Sequence, residues 1–219
     1  MRTLAVIPSR AGSKGVPGKN TRAFHGLPLV EHAIRVGLAT CSRTVVTTDC
    51  VQVAEIAERA GAEAIMRPPE LAQDDSPMLP VIQHALQASR SDAEVVVLLQ
   101  PTSPSKDRAQ WVLAALALMA DESAPTSVVS LVEIPERYRP DLAVRLVNER
   151  WLTPFTFATR RQDARRAFYR DGTVYASRRW TIDNGDLYGP TSVPLFIGAG
   201  ESVTIDTEDD WREAEARHG

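Results

Sequence analysis

At 219 residues the chain is long enough to bury a sizeable core in one domain. A formal net charge of −3, from 25 Lys and Arg against 28 Asp and Glu, excludes a global basic field drawn to nucleic acid or an anionic membrane. No apolar run approaches membrane-spanning length, the short run before Pro8 and Arg10 predicts no secretory leader, and Cys41 and Cys50 make no disulfide framework, so the expectation is a cytoplasmic protein with reduced thiols.

The first half alternates strand and helix. Thr3 to Ser9 reads as a buried strand, and Leu29, Val30, Ala33, Ile34, Gly37 and Leu38 then recur at helical spacing. "TVVTTD" (Thr44 to Asp49) is a second strand, and Val53, Ile56, Ala57 and Ala60 mark a second helix. "AEAIMRP" predicts a third strand and Leu79 to Ala88 a third helix. "EVVVLLQP" (Glu94 to Pro101) is the strongest strand signal, an unbroken apolar run suited to a strand covered on both faces. Trp111 to Ala120 supplies another helix and "SVVSLVEI" another strand. This alternation predicts an α/β fold, a doubly wound and mostly parallel sheet.

The rhythm breaks after Pro135. The stretch from Pro135 to Pro154 carries three prolines, its two ends included, and residues 160–179 hold seven arginines. The expectation is one domain over 1–219, with 135–190 an inserted subdomain. "SVTIDTEDDWREAEARHG" then predicts a strand feeding an acidic terminal helix, with Asp209 and Asp210 at its start.

The loop after the first strand, "SRAGSKGVPGKN", concentrates chemistry. In an open α/β sheet ligands bind at the carboxyl ends of strands, where this loop lies. Gly12, Gly15 and Gly18 let backbone approach a ligand, and exposed N–H groups form an anion-binding nest. Arg10, Lys14 and Lys19 add positive charge, which points to a phosphate-rich ligand of triphosphate size. The same composition suits a solvated basic loop, and composition alone does not decide between them. A nucleotide-hydrolase P-loop would need glycine where Ser13 stands, and no G-x-G-x-x-G is present. The four histidines show no metal-ligand spacing, and no histidine is placed to activate Cys50.

"IPSRAGSKGVPGKN" resembles the opening signature of the CMP-sialic acid synthetases (acylneuraminate cytidylyltransferases), relatives of the CMP-Kdo synthetases. Further segments match in order: "RPPELAQDDSP" (Arg67 to Pro77), "LLQPTSP" (Leu98 to Pro104), "RRQDARRAFYRDGTVY" (Arg160 to Tyr175) and "SVTIDTEDDW" (Ser202 to Trp211). The resemblance implies a Rossmann-like nucleotidyltransferase that moves CMP from CTP to an acidic acceptor, releasing pyrophosphate. It also implies Mg²⁺ as cofactor and a homodimer in which 135–190 serves dimerisation and acceptor binding.

The resemblance further implies roles. Arg10 and Lys19 hold the triphosphate and stabilise the leaving pyrophosphate. Ala11, Gly12, Ser13 and Lys14 complete the cradle, Asn20 contacts the nucleotide, and Arg67 lies beside the cytidine. Met78 stands near the place of a nucleotide-contacting serine. Gln100 binds the acceptor, Arg161 grips its carboxylate from across the dimer, and Tyr175 packs near its acyl group. Asp171 takes the place of an asparagine, exchanging a donor–acceptor amide for an acceptor-only carboxylate, which suits an amine-bearing acceptor. Asp206 holds the metal, and Thr204 stands where the pattern carries a second aspartate. The paired aromatics of the acyl pocket have no counterpart in "NGDLYGP". These departures cluster on the acceptor side. They leave open an N-acylneuraminate, another nonulosonic acid, or a small phosphonate as acceptor. Two other classes remain as rivals: a catalytically inactive nucleotide-binding regulator, supported by Thr204 alone, and a nucleic-acid-binding module, disfavoured because the late arginines alternate with Asp163, Asp171 and Asp183.

Overall fold

The computed structural model describes residues 1–12, 15–121, 125–148, 151–154 and 160–218, the side chains of 146–147, 151–154, 161 and 218 excepted. In chain order the elements are β1 (Thr3–Pro8), β2 (Ala23–Phe24), β3 (Leu27–Pro28), α1 (Leu29–Thr40), β4 (Arg43–Thr48), α2 (Val51–Ala60), β5 (Glu63–Met66), α3 (Met78–Ala88) and β6 (Val95–Leu98). They continue with α4 (Arg108–Met119), β7 (Ser127–Glu133), β8 (Val144–Val147), β9 (Trp151–Pro154), β10 (Phe168–Arg178), α5 (Arg179–Asp183), β11 (Ser192–Phe196) and α6 (Glu208–His218).

The central sheet has seven strands in the order β11-β7-β10-β6-β1-β4-β5. Its strands pair in parallel except at β10, which runs antiparallel to both β6 and β7. Alternation along β1 divides the core into two layers. Ala5 and Ile7 pack with Val30 and Ile34 of α1, Ile56 of α2 and Val112 of α4. Leu4 and Val6 face the other way, against Ile82 and Leu86 of α3 and Ile182 of α5. Helices therefore cover both faces of the sheet, as its apolar strands require. Fully burying each such side chain contributes about 1.5–3 kcal/mol. Among the described residues no helix is long and apolar enough to cross a membrane.

One expectation needs correction. Ser202–Asp206 is not a strand: it pairs with no strand of the sheet, and its Ile205 N–H donates to Thr102 O at 2.9 Å. Its alternating apolar side chains, Val203 and Ile205, instead fill a third core with Val16, Phe24, Leu29, Trp211 and Ala214. This cluster fastens the first loop to α6. Strands of two sheets fall within 135–190. β8 and β9 form a separate two-stranded ribbon, whereas β10 is a full member of the central sheet. β10 carries an irregularity between Arg170 and Tyr175, where its pairing to β7 shifts register.

Candidate active site

The chain leaves β1 into the loop predicted to bind phosphate. At the same rim it leaves β5 through Arg67 and β6 through Gln100. These exits, with the 202–207 segment, enclose a cleft of about 410 Å³. Arg10, Gly12, Lys19, Asn20, Arg67, Gln100 and Asp206 all line it, along with Gln73, Asp74, Ser76, Met78, Thr102 and Thr204. Seven candidates from distant parts of the sequence thus meet in one place. The site sits at the carboxyl ends of parallel strands, as open α/β sheets place their ligands.

Each cation in the cleft has a defined anchor. Arg10 pairs with Asp74, both partly exposed. Lys19 is 8% exposed; its Nζ donates to Ile205 O at 2.7 Å and lies 3.3 Å from Asp206 Oδ1. Arg67 is buried, with Nη2 donating to Thr47 O at 2.7 Å and Nη1 to Leu71 O at 3.2 Å. Burial, most of all, lowers the Arg67 guanidinium pKa; Asp49 opposes this and Arg10 adds to it. Asn20 Nδ2 donates to Arg10 O at 3.0 Å and Ala11 N–H to Asp49 Oδ1 at 2.7 Å, which ties the loop to itself and to the end of β4. A Cβ added at Gly15 would stand 1.8 Å from Asp206 O, so only glycine lets the loop lie against the 205–207 backbone.

The carboxylate side is sparse. Among the described residues no group of three or more His, Cys, Asp or Glu is placed to hold a metal ion. Asp206 has a largely exposed side chain facing the cleft. The Thr204 hydroxyl donates to Asp171 O at 3.3 Å. One carboxylate with substrate phosphate oxygens is a donor set that suits Mg²⁺, which is commonly held by one or two carboxylates and the phosphates themselves. A hard all-oxygen set fits that ion; a second protein carboxylate is lacking at 204.

The remaining candidates lie elsewhere. Ser13 and Lys14 fall outside the described residues. Arg161 opens a 3₁₀ turn (Arg161–Asp163), and its side chain is outside the description. Tyr175 is half-buried and does not line the cleft. It packs among the apolar residues that include Met78, Leu79 and Leu187, and its ring centroid lies 6.3 Å from that of Tyr188. Burial pushes the Tyr175 phenol up, and Tyr188 adds to this. Asp171 is also off the cleft, 5% exposed and hydrogen-bonded within the protein. The expectation that it faces an amine of the acceptor gives way to this geometry. Sequence reading missed Asp74, although the "DDSP" that carries it lies in a quoted motif, and it missed Asp49 as the acceptor for the loop amide.

A family model described as cytidylyltransferase matches residues 4–180. The chain is 34% identical to the CMP-N,N'-diacetyllegionaminic acid synthase of Legionella pneumophila, over 96% of this chain and 94% of that one. It is 29% identical to the N-acylneuraminate cytidylyltransferase of Escherichia coli, covering 98% of this chain and 52% of that protein, so it spans about half the length of that relative. Among solved structures, a CMP:2-keto-3-deoxy-manno-octonic acid synthetase complexed with CTP superposes with a TM-score of 0.76 at 20% identity, over 99% of this chain and 98% of that one. A 4-diphosphocytidyl-2C-methyl-D-erythritol synthase from Anaerococcus prevotii superposes with a TM-score of 0.63 at 12% identity, over 98% and 95% of the two chains. At these identities the two structures speak to the fold.

Proposed function

The chain belongs to the cytidylyltransferase family, and from that premise we propose that it transfers CMP from CTP to a nonulosonic acid and releases pyrophosphate. The observation that carries this reading is the meeting of Arg10, Lys19, Arg67, Gln100 and Asp206 in one cleft at the sheet's carboxyl rim. The Legionella relative, matched along nearly the whole of both chains, favours an N-acylated nine-carbon acid over a small phosphonate.

In this reading an acceptor hydroxyl oxygen bonds to the α-phosphorus while the bond to the β,γ-leaving group breaks. The hydroxyl proton is released and pyrophosphate departs. Such a transfer depends on positioning and on neutralising spread-out negative charge. Arg10 and Lys19 supply that charge, and Gly12 lines the approach. The triphosphate exchanges with Asp74 on Arg10 and with Asp206 beside Lys19. Asp206, so released, is the protein carboxylate for Mg²⁺, which would offset phosphate charge when bound. Arg67, held rigid by Thr47 and Leu71, borders the nucleoside. Gln100 and Arg161 bind the acceptor.

A cytoplasmic homodimer completes the reading. The free thiols of Cys41 and Cys50 suit a reducing compartment. Phe196, 62% exposed on edge strand β11, stacks against Phe168 at 5.0 Å and offers apolar surface for a second copy.

The test is pyrophosphate release with CTP and Mg²⁺ across a panel of N-acetylneuraminate, di-N-acylated nonulosonates, Kdo and small phosphonates. Release with a nonulosonate is the expected result. Release with a phosphonate alone would overturn the acceptor class, and release with none of them the reaction.

A further inference from the structure

The Asp171 carboxylate accepts four hydrogen bonds from groups of the protein itself. One oxygen accepts from the Ser130 hydroxyl of β7 and from Thr173 N–H at 3.3 Å. The other accepts from the Thr173 hydroxyl and from Ser202 Oγ at 2.9 Å. Its backbone carbonyl accepts from Thr204 Oγ1 at 3.3 Å. The Ser130 hydroxyl in turn accepts from Val174 N–H at 2.9 Å, closing the β10 irregularity onto β7. At the same irregularity Gly172 has φ +84°, and a Cβ there would stand 2.8 Å from Gln100 Oε1. The turn at 171–172 thus touches the cleft's Gln100 on one side and the 202–204 backbone on the other.

The 202–206 segment is also held by the core under α6, where Val203 and Ile205 are buried, by Ser202 N–H donating to Gly198 O, and by Asp206 N–H donating to Asp210 Oδ2 at 3.0 Å. Ile205 N–H reaches Thr102 O, and Ile205 O receives Lys19 Nζ at 2.7 Å. Asp206 follows directly. A fully buried guanidinium sits behind: Arg108 donates to Thr173 O, Gln100 O and Ser103 O at 2.8, 2.8 and 2.9 Å. Burial lowers the Arg108 pKa to about 9, and the Asp171 carboxylate opposes this. The bonds of Asp171 to Ser202 and Thr204, and those of Arg108 to Thr173, Gln100 and Ser103, therefore tie both walls of the cleft to the same strand.

We infer that Asp171 is a positioning residue: a latch that holds the 202–206 segment, and through it Asp206 and the carbonyl under Lys19, in register with the Gln100 loop. A carboxylate suits the task because four donors converge on it. Asparagine keeps the shape but replaces one accepting oxygen with a donating NH₂, so two of the bonds must reverse or break.

The kinetic part of the test rests on the cytidylyl-transfer reading; the exchange part does not. Asp171→Asn is compared with wild type by amide hydrogen exchange. Should that variant not fold, Ser202→Ala removes one link from the part-exposed side and carries the test. Exchange is expected to rise about tenfold at the amides of 202–206, the effect of losing one hydrogen bond to a charged group, with β1 and β6 unchanged. CTP binding with Mg²⁺ should weaken about tenfold while the acceptor KM stays within about twofold. Unaltered exchange at 202–206 would overturn the latch, as would a raised acceptor KM with CTP binding intact, which would return Asp171 to the acceptor. If wild type releases no pyrophosphate with any acceptor, the reaction is wrong, and the exchange comparison still decides the latch.

Discussion

Arg10 and Lys19, on the loop after β1, are each paired with a carboxylate that solvent reaches, whereas Asp171, on β10, is 5% exposed beneath its donors. Both sets of residues are charged and both lie in motif-like stretches. What separates them is whether their partners can be exchanged. The partly exposed Arg10–Asp74 pair is worth little, so an incoming triphosphate can displace it. A saturated, buried carboxylate costs far more to disturb. The triphosphate side is poised for a ligand, and the β10 side is built to stay as it is.

The contrast breaks first at Lys19. Lys19→Ala should lower kcat by about 10²–10³-fold, the loss typical of one preorganised donor at developing charge, in a variant that still folds but loses about 1–3 kcal/mol because Ile205 O loses its buried donor. A near-wild-type rate would remove the loop from the reaction. Gly15→Ala comes next. Its Cβ would run into the Asp206 backbone, and overpacking of this kind costs about 1–3 kcal/mol; denaturant unfolding should show that loss together with weakened CTP binding. Unchanged stability would mean that the loop and the 205–207 segment part without cost. Asp74→Asn should act in the opposite direction. Freed from its partner, Arg10 should bind triphosphate up to about fivefold more tightly, the span of an exposed ion pair; weaker binding would instead make Asp74 part of the ligand site.

The smallest effect is at the start of α6. Thr207 and Asp210 cap each other: Thr207 N–H donates to Asp210 Oδ2 at 2.8 Å, and Asp210 N–H to Thr207 Oγ1 at 3.2 Å. Burial raises the Asp210 carboxyl pKa, yet bonds from the Thr207 hydroxyl and the Asp206 and Thr207 amides, with Lys19 nearby, hold it below the usual carboxylate range. A carboxyl lowered on folding stabilises above its unfolded pKa of about 3.9, and that contribution is lost as pH falls through the folded value. Asp210→Asn should therefore flatten the acid limb of the stability curve below about pH 4. An identical acid limb in the variant would assign it to other carboxylates.

The sheet was legible because its inner strands are unbroken apolar runs separated by helical spacing, a pattern fixed by burial on two faces. The cleft was legible because its cations sit in short, composition-marked loops. β10 was not. "FYRDGTVYASR" owes its place to pairing with β6 and β7, and its register shift hides the period. "SVTID" alternates like a strand, but the apolar positions Val203 and Ile205 answer to the core beneath α6 rather than to a neighbouring strand. Asp171 looked like a ligand-facing residue because a motif names residue types, whereas its burial depends on Ser130 and Ser202, distant in sequence.

The most direct measurement is a calorimetric titration of CTP, with Mg²⁺, into wild type and Lys19→Ala. Saturable binding by wild type, weakened at least about tenfold in a folded variant, is the expected result. Equal affinity in the two would contradict the placing of the triphosphate between Arg10 and Lys19.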